Sequence, residues 1–178
     1  MKRSILVVAL SSLLVSPLVI AKELNVVASF SVLGDMVSQI GGPYVHVTDL
    51  VQPDGDPHEF EPSPKDSKTL AQADVVFVNG LGLEGWLDRL VKASGYRGEV
   101  ITASNGIDTL KMKEDGTTIT DPHAWNSMKN GIVYAHNIVN GLSKADPEHA
   151  SDYRKQGDRY GIRRGLSLFS AIGFIPIR

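Results

Sequence analysis

Two tripeptides in this chain are identical, Asp56-Pro57-His58 and Asp121-Pro122-His123. Proline fixes its own φ and drives the preceding residue out of the helical region, so each imidazole leaves a stiff, extended loop at a set angle. Histidine is the commonest side-chain ligand for borderline metals, and its neutral ring needs only orientation to bind. The pair therefore points to a divalent-metal site with His58 and His123 as ligands. Two histidines do not complete one, because zinc takes four ligands and harder metals take more oxygen. Glu59 and Glu61 follow His58 closely, and Asp56 and Asp121 stand where they could orient the rings. The sequence forces none of these carboxylates into the coordination sphere.

The other three histidines have plainer readings. His46 alternates with Val45 and Val47 in a β-prone run and reads as a face residue. His136 falls at the edge of the apolar stripe of a helix, where packing explains it, and His149 lies early in a polar helix and reads as solvent-exposed. Catalytic signatures are sparse: the chain has no His-Glu-x-x-His helix and no Gly-x-Ser-x-Gly elbow. With zero cysteines it also has no thiol nucleophile, disulfide, thiolate metal ligand or cysteine for a lipid anchor. Asn79-Gly80-Leu81-Gly82-Leu83-Glu84-Gly85 does not match the Gly-x-Gly-x-x-Gly order of a dinucleotide site and reads as a tight turn, and no organic cofactor is expected. The enzymatic alternative is a metal-dependent hydrolase using the same two histidines, for which nothing singles out a general base.

The elements that must position the two loops follow from periodicity. Leu24–Ser29 is a β-prone run, Ser31–Ile40 has helical spacing and stops at Gly41-Gly42-Pro43, and Val45–Val51 returns to strand character before the loop of His58. Ser63 then caps a helix with Pro64 at its first position and Asp66 in its first turn, running to about Ala73. Asp74–Asn79 suits a strand buried on both faces, Glu84–Ser94 a helix closed by Gly95, and Glu99–Ala103 another strand. Ser104–Thr120 is polar and turn-rich, a connection with room for a short strand or hairpin, and it delivers His123. Ser127–Ala145 sets Met128, Ile132, Ala135, Val139 and Leu142 on one helical face, and a second helix restarts with Asp146 as its N-cap and Pro147 at the first position and continues through Tyr160. Such alternation of strands and helices predicts an α/β fold with a mostly parallel sheet covered by helices on both faces.

The remainder bounds the class. The chain has 178 residues, 42% of them hydrophobic and 21% charged, with a formal net charge of −2, which fits one globular domain and gives no basic surface for nucleic acid. Met1-Lys2-Arg3, an apolar run from Ile5 to Ile20 broken by Ser11, Ser12, Ser16 and Pro17, and Val19-Ile20-Ala21 compose an export signal cleaved after Ala21. The run is short of the roughly 20 apolar residues of a membrane span. Residues 161–178 lose the helical period and do not read as the continuation of the preceding helix.

Three ordered stretches, Val51–Asp66 around His58, Ala73–Leu87, and Asp121–Trp125 around His123, closely resemble the metal-binding, solute-binding proteins of bacterial ABC importers for manganese, iron and zinc. The resemblance extends from about Lys22 to Tyr160 and is greatest to enterobacterial periplasmic binders of manganese and chelated iron. It implies two α/β lobes joined by a rigid helix, with a metal ion held between them as cargo for an inner-membrane ABC permease. It also implies a periplasmic, monomeric protein that is not an enzyme. On this view residues 1–21 are the signal peptide, 22–145 the N-terminal lobe, 146–160 the start of the linking helix and 161–178 an atypical tail. His58 and His123 match the family's two N-terminal-lobe ligands. The other two would come from a C-terminal lobe that this sequence lacks, so the expectation is a truncated product with impaired binding, or an inert fragment. No His-rich insertion follows His58, which favours manganese or ferrous iron over zinc.

Overall fold

The computed structural model describes residues 22–114 and 116–171; the export signal read at 1–21 and the part of the tail at 172–178 lie outside the described residues. Four strands, β1 (Leu24–Phe30), β2 (Val45–Val51), β3 (Val75–Val78) and β4 (Glu99–Thr102), form one parallel sheet in the order β2-β1-β3-β4. β3 reads Val-Val-Phe-Val and is buried at every residue, as a central strand covered on both faces must be.

Helices α1 (Ser31–Gly41), α4 (Met128–Ala145) and α5 (Ala150–Ala171) pack on one another, while α2 (Pro64–Ala71) pairs with α3 (Leu87–Ser94). Right-handed crossovers place α1 and α3 on opposite faces of the sheet, because β1–α1–β2 and β3–α3–β4 step outward in opposite directions. Strand order therefore reverses between β1 and β3. The crevice beyond the carboxyl ends of the strands at such a reversal is where open α/β sheets bind ligands.

Local chemistry explains the elements. Ser63 and Asp66 form a reciprocal capping box at the start of α2, with Pro64 in the first turn. Gly95 ends α3 in the left-handed region at φ 69°, a conformation glycine adopts without strain. The turn-rich segment after β4 contains an antiparallel hairpin, β5 (Lys111–Glu114) with β6 (Thr117–Thr120). Gly141 lets α4 lie directly on the sheet, since a Cβ there would come within 2.9 Å of the Phe77 ring.

Several expectations need correction. The buried face of α4 is Gly131, Tyr134, Ala135, Ile138, Val139, Gly141 and Leu142; Ile132 is 53% exposed, and His136, read as packed, is exposed too. The true stripe is centred on Tyr134 and Ile138, whose rings and branches fill the space over β3 and β4, and it is rotated from the arc drawn through Ile132. His149, read as solvent-exposed, stacks on Tyr44 with centroids 3.9 Å apart, and its Nδ1 lies 2.7 Å from Asp146 Oδ2. Asp146 does not cap the helix with its side chain; its carboxylate accepts from His149 and from Tyr153 Oη at 2.6 Å. The tail, read as leaving the helix at Gly161, continues α5 to Ala171. An established helix propagates at little cost per residue, and no proline interrupts it before Pro176.

Candidate metal centre

His58 lies in the loop after β2, and His123 follows β6 after Asp121 and Pro122. These histidines are 65 residues apart in sequence, yet their Nε2 atoms face one another at 3.3 Å, with ring centroids 5.3 Å apart. Both rings border a depression of about 690 Å³, together with Glu59, Leu81, Met112 and Glu114.

The two tripeptides build the same turn. Asp56 Oδ1 accepts the His58 backbone N–H at 2.8 Å, and Asp121 Oδ1 accepts the His123 N–H at 2.9 Å. This is the Asx turn, in which a short carboxylate satisfies the backbone two residues on. Each proline carbonyl is in turn caught by a side-chain donor: Trp86 Nε1–H donates to Pro57 O at 2.8 Å, and Asn79 Nδ2–H donates to Pro122 O at 3.0 Å. The sequence puts Trp86 within the helix expected over Glu84–Ser94 and Asn79 at the end of a strand, and does not reveal that each fixes the residue before a histidine.

Asp121 does more than Asp56. Its Oδ1 also lies 2.8 Å from His123 Nδ1. The His123 backbone N–H, followed by its ring N–H, holds the Asp121 carboxyl below the usual carboxylate range, so it is an acceptor and Nδ1 must carry the proton. That leaves the Nε2 lone pair of His123 free and pointing at His58. Trp125 braces the same ring and is itself backed by Phe30: the His123 and Trp125 centroids are 5.3 Å apart, and those of Trp125 and Phe30 are 4.8 Å apart.

Chemically this is a two-nitrogen donor set. Two imidazoles bound to one zinc at about 2.0–2.1 Å and a tetrahedral angle stand about 3.4 Å apart, so the observed spacing suits a shared ion. Among the described residues no group of three or more His, Asp, Glu or Cys side chains is placed to hold one. Asp56 and Glu59 border the depression without joining the pair, Asp56 with its Oδ1 engaged by the His58 backbone N–H, and Glu61 is exposed outside it. His46 is exposed on β2 and, like His136 and His149, is remote from the pair in the fold.

Residues 26–163 match the family described as zinc-uptake complex component A, periplasmic. The chain is 39% identical over 151 residues to the metal ABC transporter substrate-binding lipoprotein SloC of Streptococcus mutans, covering 80% of this chain and 49% of that protein. It is 42% identical over 138 residues to the manganese-binding lipoprotein MntA of Halalkalibacterium halodurans, covering 77% of this chain and 45% of the relative. Among solved structures, the manganese-bound periplasmic metal binding protein of Candidatus Liberibacter asiaticus superposes with a TM-score of 0.72 at 31% identity, over 79% of this chain and 53% of that one. The metal-dependent lipoprotein YcdH of Bacillus subtilis gives a TM-score of 0.70 at 28% identity, over 80% and 52%. The chain spans about half the length of the curated relatives it matches.

Proposed function

Since the chain belongs to the periplasmic zinc-uptake component A family, we propose that His58 and His123 bind one divalent metal ion through their Nε2 atoms, as cargo for an inner-membrane ABC permease. The observation that carries this reading is the 3.3 Å approach of two Nε2 atoms from loops 65 residues apart, one of them with its tautomer set by Asp121. Manganese or ferrous iron is preferred to zinc. Support for that order comes from relatives named for manganese, as MntA is, and from the absence of a His-rich stretch after His58. The protein acts as a monomeric carrier in the periplasm and turns over no substrate.

Two nitrogens leave the remaining coordination positions to water or to groups outside these residues. Affinity of this chain alone is therefore weak, because incomplete coordination under-compensates the ion's charge. Calorimetry of the purified chain with Mn²⁺ and Zn²⁺ tests the proposal. The expected result is weak, single-site binding that disappears in His58→Ala and in His123→Ala; submicromolar affinity surviving His58→Ala refutes the assignment.

A further inference from the structure

The glycine-rich turn after β3 matches no phosphate-binding motif, and its conformation shows what it holds instead. Gly80, Leu81 and Gly82 all have positive φ, at 81°, 58° and 86°. A leucine in that region is strained and persists only where its surroundings over-determine it. The curl turns two successive backbone N–H groups inward, the geometry of an anion-binding nest. The anion is the loop's own Glu84: Oε1 accepts from Asn79 N at 2.6 Å and Oε2 from Gly80 N at 3.0 Å. Oε1 also accepts from Ser29 Oγ at 2.6 Å, which ties the loop to the end of β1 at the strand reversal.

The residues bracketing this loop are the ones that catch the two proline carbonyls. Asn79 is 0% exposed and Trp86 is 2% exposed. Tyr134 Oη donates to Asn79 Oδ1, so the amide is oriented with Nδ2 toward Pro122. Trp86 is held edge-on by Phe60, with centroids 4.8 Å apart, and its indole N–H has Pro57 O as partner.

We infer that the Asn79–Trp86 loop, closed around Glu84, is a yoke that sets the distance between His58 and His123, with Asn79 positioning the loop of His123 and Trp86 the loop of His58. This rests on the metal-site reading above and adds that one short loop governs both ligands at once. Displacing either end moves the peptide plane adjoining a histidine, whose Cα is one trans peptide unit, about 3.8 Å, from the proline's.

The test is a Zn²⁺ titration of the purified chain followed by NMR at the Cε1–H resonances of His58 and His123, which reads each ring separately. Glu84→Gln keeps the shape and replaces one acceptor by a donor facing N–H or O–H groups; it weakens Zn²⁺ binding about tenfold, the size seen when a group that orients a ligand is lost. Asn79→Ala and Trp86→Phe weaken it similarly. The positioning role is read from the metal-free rings, each through its own resonance. Asn79→Ala shifts the His123 Cε1–H resonance more than that of His58, and Trp86→Phe does the reverse, following the carbonyl each side chain holds. A merely structural role moves both resonances alike in either variant. Should Asn79→Ala not fold, Glu84→Gln and Trp86→Phe decide the matter. Folded variants that bind Zn²⁺ within twofold of the unsubstituted chain overturn the yoke. Histidine variants that bind as well as the unsubstituted chain overturn the metal site itself, which separates the two failures.

Discussion

The two Asp-Pro-His loops share a sequence and a turn, yet they hold their histidines differently. In both, the aspartate accepts the histidine N–H and a side-chain donor from the β3–α3 segment catches the proline carbonyl. Only His123 has its ring fixed as well, by Asp121 at Nδ1 and by Trp125 beside it. His58 is exposed, and among the described residues its ring meets His123 alone in a polar contact. The tripeptide thus encodes where the backbone goes, while the ring is oriented by whatever surrounds it. His123 is the fixed jaw of the pair, whereas among the described residues the His58 ring has no polar partner besides His123.

The largest test of this contrast removes each jaw. His58→Ala and His123→Ala both abolish measurable Mn²⁺ or Zn²⁺ binding in calorimetry, because a single imidazole from this chain leaves an ion almost wholly hydrated. Retention of the unsubstituted affinity by either variant breaks the idea that the two nitrogens share one ion.

A smaller effect separates the two aspartates. Asp121→Asn keeps an oxygen for the turn but removes the charge behind the ring, and should cost about tenfold in metal affinity. Asp56→Asn removes a charge that touches only backbone and should leave affinity nearly unchanged. Equal losses in the two variants, measured in parallel titrations, contradict the distinction between a fixed and a free ring.

The same contrast explains what could be read from sequence. The tripeptides are local signals, and so is the capping box of Ser63 and Asp66, whose partners lie three residues apart. The parallel sheet was legible because Val75–Val78 is apolar throughout and is flanked by helical periods. What sequence concealed depends on long-range contact: Trp86 reaches Pro57 across 29 residues, and Asn79 reaches Pro122 across 43. The helix expected from Glu84 begins at Leu87 because Glu84 turns back into its own loop. His149 failed for the same kind of reason, since Tyr44, just past the end of α1 in the sequence, stacks on it.

The finest test concerns the Asp121 carboxyl. Its principal cause of a lowered pKa is the His123 backbone N–H, then the ring N–H, with partial desolvation opposing both. A carboxyl whose folded value is depressed adds stability that is fully present above its unfolded value and is lost as the pH falls through its folded one. The contact therefore stays intact between pH 7 and 5 and weakens only below the ordinary 3.8. Carboxyl-carbon NMR on the chelator-treated chain should give an Asp121 midpoint below 3.8. In His123→Ala the midpoint should rise only part of the way, because the backbone N–H remains when the ring is gone. A native midpoint at or above the ordinary value means that Asp121 does not hold the ring, and the fixed jaw is then no more fixed than the other.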